Sequence, residues 1–304
     1  VKKSTFIGGV TMNEVLLSPA EVAEVLKIRK NTVYEMIKRG DLPAKKMGKQ
    51  FRISSNSVEE YLRQNSKGEE EGDREIVICG QDAILDILCN YISQSVKKVS
   101  ALRSYLGSYN GMYAMYQGKV DLATAHLWDG ETNTYNKEYV KRMLPGVDTV
   151  LVHLVNRVEG FYVPKGNPKN IVSFESLRDP SISMVNRERG SGSRILLDEY
   201  LRKLGIPTYQ VAGYNREVSS HLAAASVVAR GGADLAIGIQ KVCLQVPNLD
   251  FVPIQEESYD MVMRKEDMRK PMYQTILNII QSEQFRVEVE GLGGYLVDGM
   301  GSIT

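Results

Sequence analysis

Lys27-Ile-Arg-Lys-Asn-Thr-Val-Tyr-Glu-Met-Ile-Lys-Arg39 reads as a short basic helix after a tight turn, with Val33, Met36 and Ile37 turned inward. Lys30, Thr32, Tyr34, Lys38 and Arg39 are left to face outward. Just upstream, Ser18-Pro19-Ala20-Glu21 opens another helix: a serine cap, a proline where no amide hydrogen is needed, and a glutamate three residues on that reaches back to the cap. Val22, Ala23, Val25 and Leu26 supply its apolar stripe. Gly40-Asp41-Leu42-Pro43 closes the basic helix, and Ala44 to Ile53 reads as two short strands about a glycine turn. A third helix through Val58, Tyr61 and Leu62 completes a small core.

The charge is unevenly placed. Net charge is +1 over 304 residues, but residues 1–64 hold 12 Lys/Arg against 7 Asp/Glu, so the remainder is mildly acidic. A basic end on an acidic body points to nucleic-acid contact confined to that end. Cys79, Cys89 and Cys243 each sit in an apolar run and are too scattered for a disulfide framework or a metal cluster, which fits reduced core residues in a cytoplasmic protein. No stretch has the length of a membrane span, and the start Val1-Lys-Lys-Ser-Thr-Phe-Ile-Gly-Gly lacks a continuous apolar run, so neither membrane insertion nor secretion is expected.

The first module, taken as residues 13–64, resembles the winged helix-turn-helix of excisionase-type and MerR-type DNA-binding domains. The resemblance rests on Leu17-Ser-Pro-Ala-Glu-Val-Ala-Glu-Val-Leu26, Gly40-Asp-Leu-Pro-Ala44 and Arg52-Ile53. It implies a second helix in the major groove of double-stranded DNA and a wing along the backbone. Lys30, Asn31, Thr32 and Tyr34 are then the groove candidates, flanked by Lys38 and Arg39; Lys45, Lys46, Lys49 and Arg52 neutralise phosphates. One such helix reaches few bases, so a homodimer on repeated half-sites is expected. The plain alternative is a solvated charged helix pair used for protein contacts.

Residues 65–74 are polar, contain glycine and lack apolar periodicity, which marks a linker. From Glu75 strands and helices alternate: Ile76–Cys79, Asp82–Val96, Val99–Leu102, Gly111–Gln117 and Val120–Ala125. A second series follows with Ile182–Val185, helices Ser191–Leu204 and Val218–Arg230, and strand Ala233–Ile239. Such alternation predicts an α/β sheet, and two series predict two lobes. Thr149–Val163 is long for one ordinary strand and reads as a hinge strand, with Phe251–Ile254 as its return crossing. The lobes are then about 75–155 with 255–304, and about 156–254.

Residues 75–304 resemble the cytosolic relatives of type-II periplasmic solute-binding proteins, in a branch associated with molybdate and tungstate. The motifs that carry this include Gly118-Lys-Val-Asp121, His126-Leu127, Asn186-Arg-Glu-Arg-Gly-Ser-Gly-Ser-Arg194, Gly231-Gly-Ala-Asp234, Glu257-Ser-Tyr259 and Gly293-Gly-Tyr295. The resemblance implies a cleft between lobes that closes on a small solute. The fold class is therefore α/β: a small winged helix-turn-helix domain followed by a two-lobed type-II periplasmic-binding-protein-like domain.

An oxyanion requires amide donors and hydroxyls together, and a helix N-terminus supplies unpaired N–H groups with a partial positive charge. Gly190-Ser191-Gly192-Ser193-Arg194 offers that chemistry; the tungstate-binding relatives place a ligand-contacting arginine before a similar turn, which singles out Arg187. The other junctions are Gln81-Asp82, Ser108 and Ser219-Ser220-His221, although close relatives carry Ser-His where this chain has Gln81-Asp82. Each serine or glycine here also reads plainly as a cap or turn residue. His126, His153 and His221 are the only histidines and stand far apart, so no metal site is expected.

No nucleophile elbow, phosphate-binding P-loop or carboxylate pair stands out, so no enzyme is expected. The expectation is a ligand-responsive transcriptional regulator that needs no cofactor and takes an oxyanion, molybdate or tungstate, as effector. The alternatives are an enzyme of molybdenum or tungsten cofactor assembly and an architectural, excisionase-like DNA binder.

Overall fold

A computed structural model describes residues 16–48, 50–65, 74–96 and 99–304. The chain divides into two compact units, residues 1–72 and 73–304.

In the first unit, β1 (Leu16–Leu17) leads into α1 (Pro19–Leu26) and α2 (Lys30–Arg39), followed by β2 (Lys45–Met47), β3 (Gln50–Ser54) and α3 (Ser55–Asn65). Ser18 caps α1 with the reciprocal serine–glutamate pair: its Oγ accepts from the Glu21 amide at 3.3 Å, and the Ser18 amide donates to Glu21 Oε2 at 2.7 Å. Lys27 ends α1 at φ 53°, and Gly40 ends α2 at φ 84°, the left-handed turn glycine adopts without cost. Strands β1, β3 and β2 form one antiparallel sheet in that order. Val22, Val33, Met36, Leu42, Ile53 and Val58 fill the core. Val25, expected in the apolar stripe, is 55% exposed: one helix with few neighbours has only a narrow side to bury.

The second unit is built on a six-stranded sheet, and its elements run in the following order. First come β4 (Arg74–Cys79), α4 (Ile84–Ser95), β5 (Val99–Ser104), α5 (Ser108–Tyr116) and β6 (Leu122–Ala125). Next are β7 (Trp128–Asp129), β8 (Thr134–Tyr135), α6 (Lys137–Met143) and β9 (Thr149–Pro164). Then come β10 (Asn186–Arg187), α7 (Gly192–Leu204), β11 (Glu217–Val218), α8 (His221–Ala229), β12 (Ala236–Ile239) and α9 (Gln240–Cys243). Last are β13 (Leu249–Arg264), α10 (Pro271–Ile280) and α11 (Glu283–Gly291).

Strand order is β12-β9-β13-β6-β4-β5. The strands β9 and β13, 16 residues each, pair antiparallel along their length and belong to both lobes. Their other edges differ between the two ends: β12 pairs with residues 159–162 of β9, whereas β6 pairs with residues 260–262 of β13. Parallel β4–β5 and β4–β6 pairs make the first lobe, and β10, β11 and β12 with α7 and α8 make the second. The return crossing read at Phe251–Ile254 is thus only the start of a strand that runs on to Arg264; Glu256 and Glu257 interrupt its apolar pattern. The segment Ile182–Val185 forms isolated bridges from Ser183 and Met184, with the short strand beginning at Asn186. All three cysteines are buried and free.

Candidate anion site between the lobes

Four helices begin at one cavity of about 190 Å³ within the second unit. Gln81, Asp82 and Ala83 line it from the start of α4, Gly107 and Ser108 from α5, Ser191 from α7, and Ser220 with His221 from α8. The local sequence explains the convergence. Each helix follows a strand or short crossing and opens on a small or polar residue; Ser191 and Ser220 cap α7 and α8 by accepting from the amides of Arg194 and Ala223. Gly107 abuts the other lobe, since a Cβ there would lie 3.2 Å from Ser191 Cα. The lobes touch at this point, where the Tyr109 amide donates to Gly190 O at 3.0 Å.

The carboxylate of Asp82, which lines this cavity, is fully satisfied. Oδ1 accepts from the Ile84 amide at 2.9 Å and the Tyr295 hydroxyl at 2.5 Å, and Oδ2 accepts from Arg157 Nη1 at 2.6 Å. Burial works to raise its pKa, but Arg157 and these hydrogen bonds outweigh it and hold the carboxyl below its usual range. Arg157 also pairs with Glu257 at 2.5 Å and lies over the Tyr259 ring at 4.1 Å. Burial disfavours its charge, but Glu257 and Asp82 keep it firmly protonated.

Donors remain unspent around the cavity. Lys241 Nζ is buried without a hydrogen-bond partner, 4.2 Å above the Tyr295 ring, and burial lowers its pKa. His221 Nδ1 also lacks a partner; burial, then Arg187 and Arg157, push this imidazole well below its usual range and keep it neutral. His126 sits at the cavity wall with its pKa lowered to about 3 by burial and by Arg157, and its Nδ1 lies 2.6 Å from Glu257 Oε2.

Of the residues singled out by sequence, Gln81, Asp82, Ser108, Ser191, Ser220 and His221 line the cavity. Arg187, Gly192, Ser193, Arg194 and Ser219 do not. Arg187 is buried with Nε and Nη2 on Glu188 at 2.9 Å each and Nη2 on Gln81 Oε1 at 2.6 Å; Nη1 has no partner. Gly192 makes room for the His126 ring, whose Cε1 would lie 2.3 Å from a Cβ there. Ser193 donates to Glu159, and Arg194 reaches Glu217 at 3.3 Å and stacks over Tyr214 at 4.0 Å. Ser219 is exposed, and its carbonyl lies 3.5 Å from Gln81 Nε2 and from Arg187 Nη2.

The sequence reading passed over Arg157, Glu159 and Lys241, and saw Glu257, Tyr259 and Tyr295 only as motif members. It found no carboxylate pair, yet Glu159 and Glu257 form one: burial, then the Glu257 charge, push Glu159 up to about 8. The available signal was a charge inside an apolar run, since Arg157 and Glu159 interrupt Val150–Val163.

In the first unit, Lys30, Asn31, Tyr34, Lys38, Arg39, Lys45 and Lys46 are exposed, while Thr32 and Arg52 are half-buried. Tyr34 packs edge-on against Phe51 of β3 with ring centroids 6.2 Å apart, and Arg39 pairs with Asp41 at 2.9 Å. Lys49 lies outside the described residues. Among the described residues, no helix is long and apolar enough to cross a membrane.

A helix-turn-helix domain family matches residues 16–66, and a PBP superfamily domain matches residues 90–281. The uncharacterized protein YvgK of Bacillus subtilis (strain 168) is 39% identical over 290 residues, covering 90% of this chain and 93% of its own. Two solved structures share the fold at low identity. The ABC-type phosphate transport receptor from Vibrio cholerae has TM-score 0.52 at 15% identity, covering 73% of this chain and 99% of its own. The sulfate-binding protein SubI from Mycobacterium tuberculosis H37Rv has TM-score 0.54 at 15% identity, covering 74% and 88%. Both matched families are binding types, one for DNA and one for solutes. A DNA-binding fold and a two-lobed solute-binding fold in one chain, shared over nearly full length with YvgK, place this protein in the PBP superfamily, in the form that carries a helix-turn-helix domain.

Proposed function

We propose that the protein is a cytoplasmic, ligand-responsive transcriptional regulator whose second unit closes on a small anion, an oxyanion such as molybdate or tungstate, and thereby alters DNA binding by the first. The observation that carries the ligand class is the convergence of four helix N-termini on one cavity that also holds the unspent Lys241 ammonium and the unpartnered Nδ1 of His221. Asp82 does not oppose an anion there, because Arg157 neutralises it. Phosphate and sulfate binding by proteins of the same fold supports the chemical class.

A second reading follows from size. The cavity of about 190 Å³ has room for a hydrated oxyanion and equally for a small organic anion. Isothermal titration of the full chain with molybdate, tungstate, sulfate, phosphate and small carboxylates decides between them. Saturable 1:1 binding of an oxyanion that disappears in Lys241→Met supports the proposal. Binding of none of these anions overturns it.

Regulation requires that the anion bind the two DNA-binding arrangements differently, for a ligand with equal affinity for both shifts nothing. A homodimer supplies the second half-site contact that a helix of ten residues lacks. Sedimentation of the full chain on a selected DNA site, giving two chains per site, tests that part.

A further inference from the structure

His126, Glu159 and Glu257 meet where the hinge strands pass between the lobes. One ligand atom from each lies within 4.8 Å of the other two, and all three side chains are buried or nearly so. They arrive from separate places: His126 just after β6, Glu159 on β9 and Glu257 on β13.

Charge balance sets this group apart from an ordinary buried network. Arg157 is the guanidinium that touches it, paired with Asp82 at 2.6 Å and with Glu257 Oε1 at 2.5 Å. Three buried carboxyls, Asp82, Glu159 and Glu257, thus stand beside one buried guanidinium, and since an ionised carboxylate without a paired cation is strongly unfavourable in a dry site, a bound cation would let Glu159 ionise as well. The orientation of the carboxylates adds an independent observation. Each glutamate has one oxygen held from outside the group: Ser193 donates to Glu159 Oε1, and Arg157 pairs with Glu257 Oε1. The second oxygens are left to the interior. Glu257 Oε2 turns to His126, and Glu159 Oε2 is fully buried with no partner besides the neighbouring Glu257 carboxyl. Outer groups that fix one oxygen of each carboxylate are what orient the first ligands of a metal ion.

We propose that His126, Glu159 and Glu257 form a binding site for one divalent first-row transition ion, entered through the cavity that His126 lines. An imidazole with two carboxylates is a donor set that zinc, cobalt and manganese accept, and it leaves a coordination position for water or a cavity-bound group. The site borders the same cavity but uses neither Lys241 nor His221, so it does not require that an oxyanion bind there.

The test uses the full chain stripped with a chelator and titrated with Zn²⁺ by calorimetry and with Co²⁺ by visible absorption. One ion per chain is expected. Affinity should fall at least 100-fold in Glu159→Gln and in His126→Ala, and about tenfold in Ser193→Ala, which removes only an outer partner. His153→Gln, which alters a different histidine–carboxylate pair, should bind as the wild type does. Absence of any bound ion, or unchanged binding in a folded Glu159→Gln variant, overturns the proposal. If Glu159→Gln does not fold, Ser193→Ala and the cobalt spectrum decide. A thiolate-to-cobalt charge-transfer band, which marks cysteine ligation, or unaltered affinity in Ser193→Ala, overturns the site.

Discussion

Arg187 Nη2 donates to Gln81 Oε1 at 2.6 Å, joining the second lobe to the first directly above the start of α4. Gln81 returns a bond through Nε2 to Glu188 Oε1 at 3.1 Å, so one amide side chain is gripped by an ion pair from the opposite lobe. We read this bridge as a latch that favours the lobes lying together. A ligand bound between the lobes gains from any contact made only on closing. Hydrogen bonds to charged groups contribute about 1.5–3 kcal/mol. Gln81→Ala should therefore weaken oxyanion binding by roughly ten- to a hundredfold in calorimetry, acting mainly on the dissociation rate. Unchanged affinity would mean that the latch does not depend on occupancy.

Arg157 is the stability test of the hinge. Removing it leaves Asp82 and Glu257 buried without their cation. Loss of one partner of a buried pair costs about 3–5 kcal/mol, so Arg157→Met should lower the melting temperature by on the order of 10 °C. A variant that melts with the wild type would contradict this account of the network.

Much of the fold was legible, and the difference between what was read and what was missed is physical. Local signals were read well: the Ser18–Glu21 capping pair, the left-handed Gly40 and the periodicity of α7 are set by neighbours within a few residues. The cavity-lining serines at 108, 191 and 220 were legible for the same reason, since each stands at a helix start. Arg187, assigned by resemblance to the ligand, stands off the cavity wall and bonds Gln81 across the lobes. The hinge cluster was not legible from spacing, because register along β9 and β13 brings Glu159 and Glu257 together across nearly a hundred residues. Histidine and cysteine spacing, which set the expectation of no metal site, carries no information about carboxylates on paired strands.

The buried histidines make acid destabilising to the second unit, against Glu159, whose carboxyl, pushed up to about 8, contributes with the opposite sign. His221 has its pKa held well below the ordinary 6.5, first by burial and then by Arg187 and Arg157. Below about pH 6.5 the unfolded chain takes up a proton that the folded chain refuses. The stabilisation is therefore fully present above that pH and is lost as pH falls toward the depressed folded value. Each such histidine gives a slope of up to about 1.4 kcal/mol per pH unit. His126, at about 3, adds a contribution of the same sign. Chemical denaturation at pH 7 and pH 5 should show His221→Gln losing less stability on acidification than the wild type, because Glu159 acts equally in both. Equal losses would contradict the assignment.

On the DNA side, positioning and reading residues separate by salt. Lys46 is exposed on the wing strand β2, where it neutralises a phosphate in the winged-helix reading. Lys46→Ala should make the slope of log K against log salt shallower by about 0.9. Asn31, exposed in the first turn of α2, is the base-edge candidate of the same reading. Asn31→Ala should leave the salt slope unchanged and reduce discrimination among sites by about 1–3 kcal/mol. If both variants change only the salt slope, α2 does not read bases.

The most direct test joins the two units in one measurement: the affinity of the full chain for a DNA site selected from a random pool, by fluorescence anisotropy with and without saturating tungstate or molybdate. A coupling of about 1–3 kcal/mol predicts a change of roughly 5- to 150-fold, and saturating DNA must change the oxyanion affinity by the same factor. An oxyanion that binds the cleft tightly and leaves the DNA affinity unaltered would contradict the account.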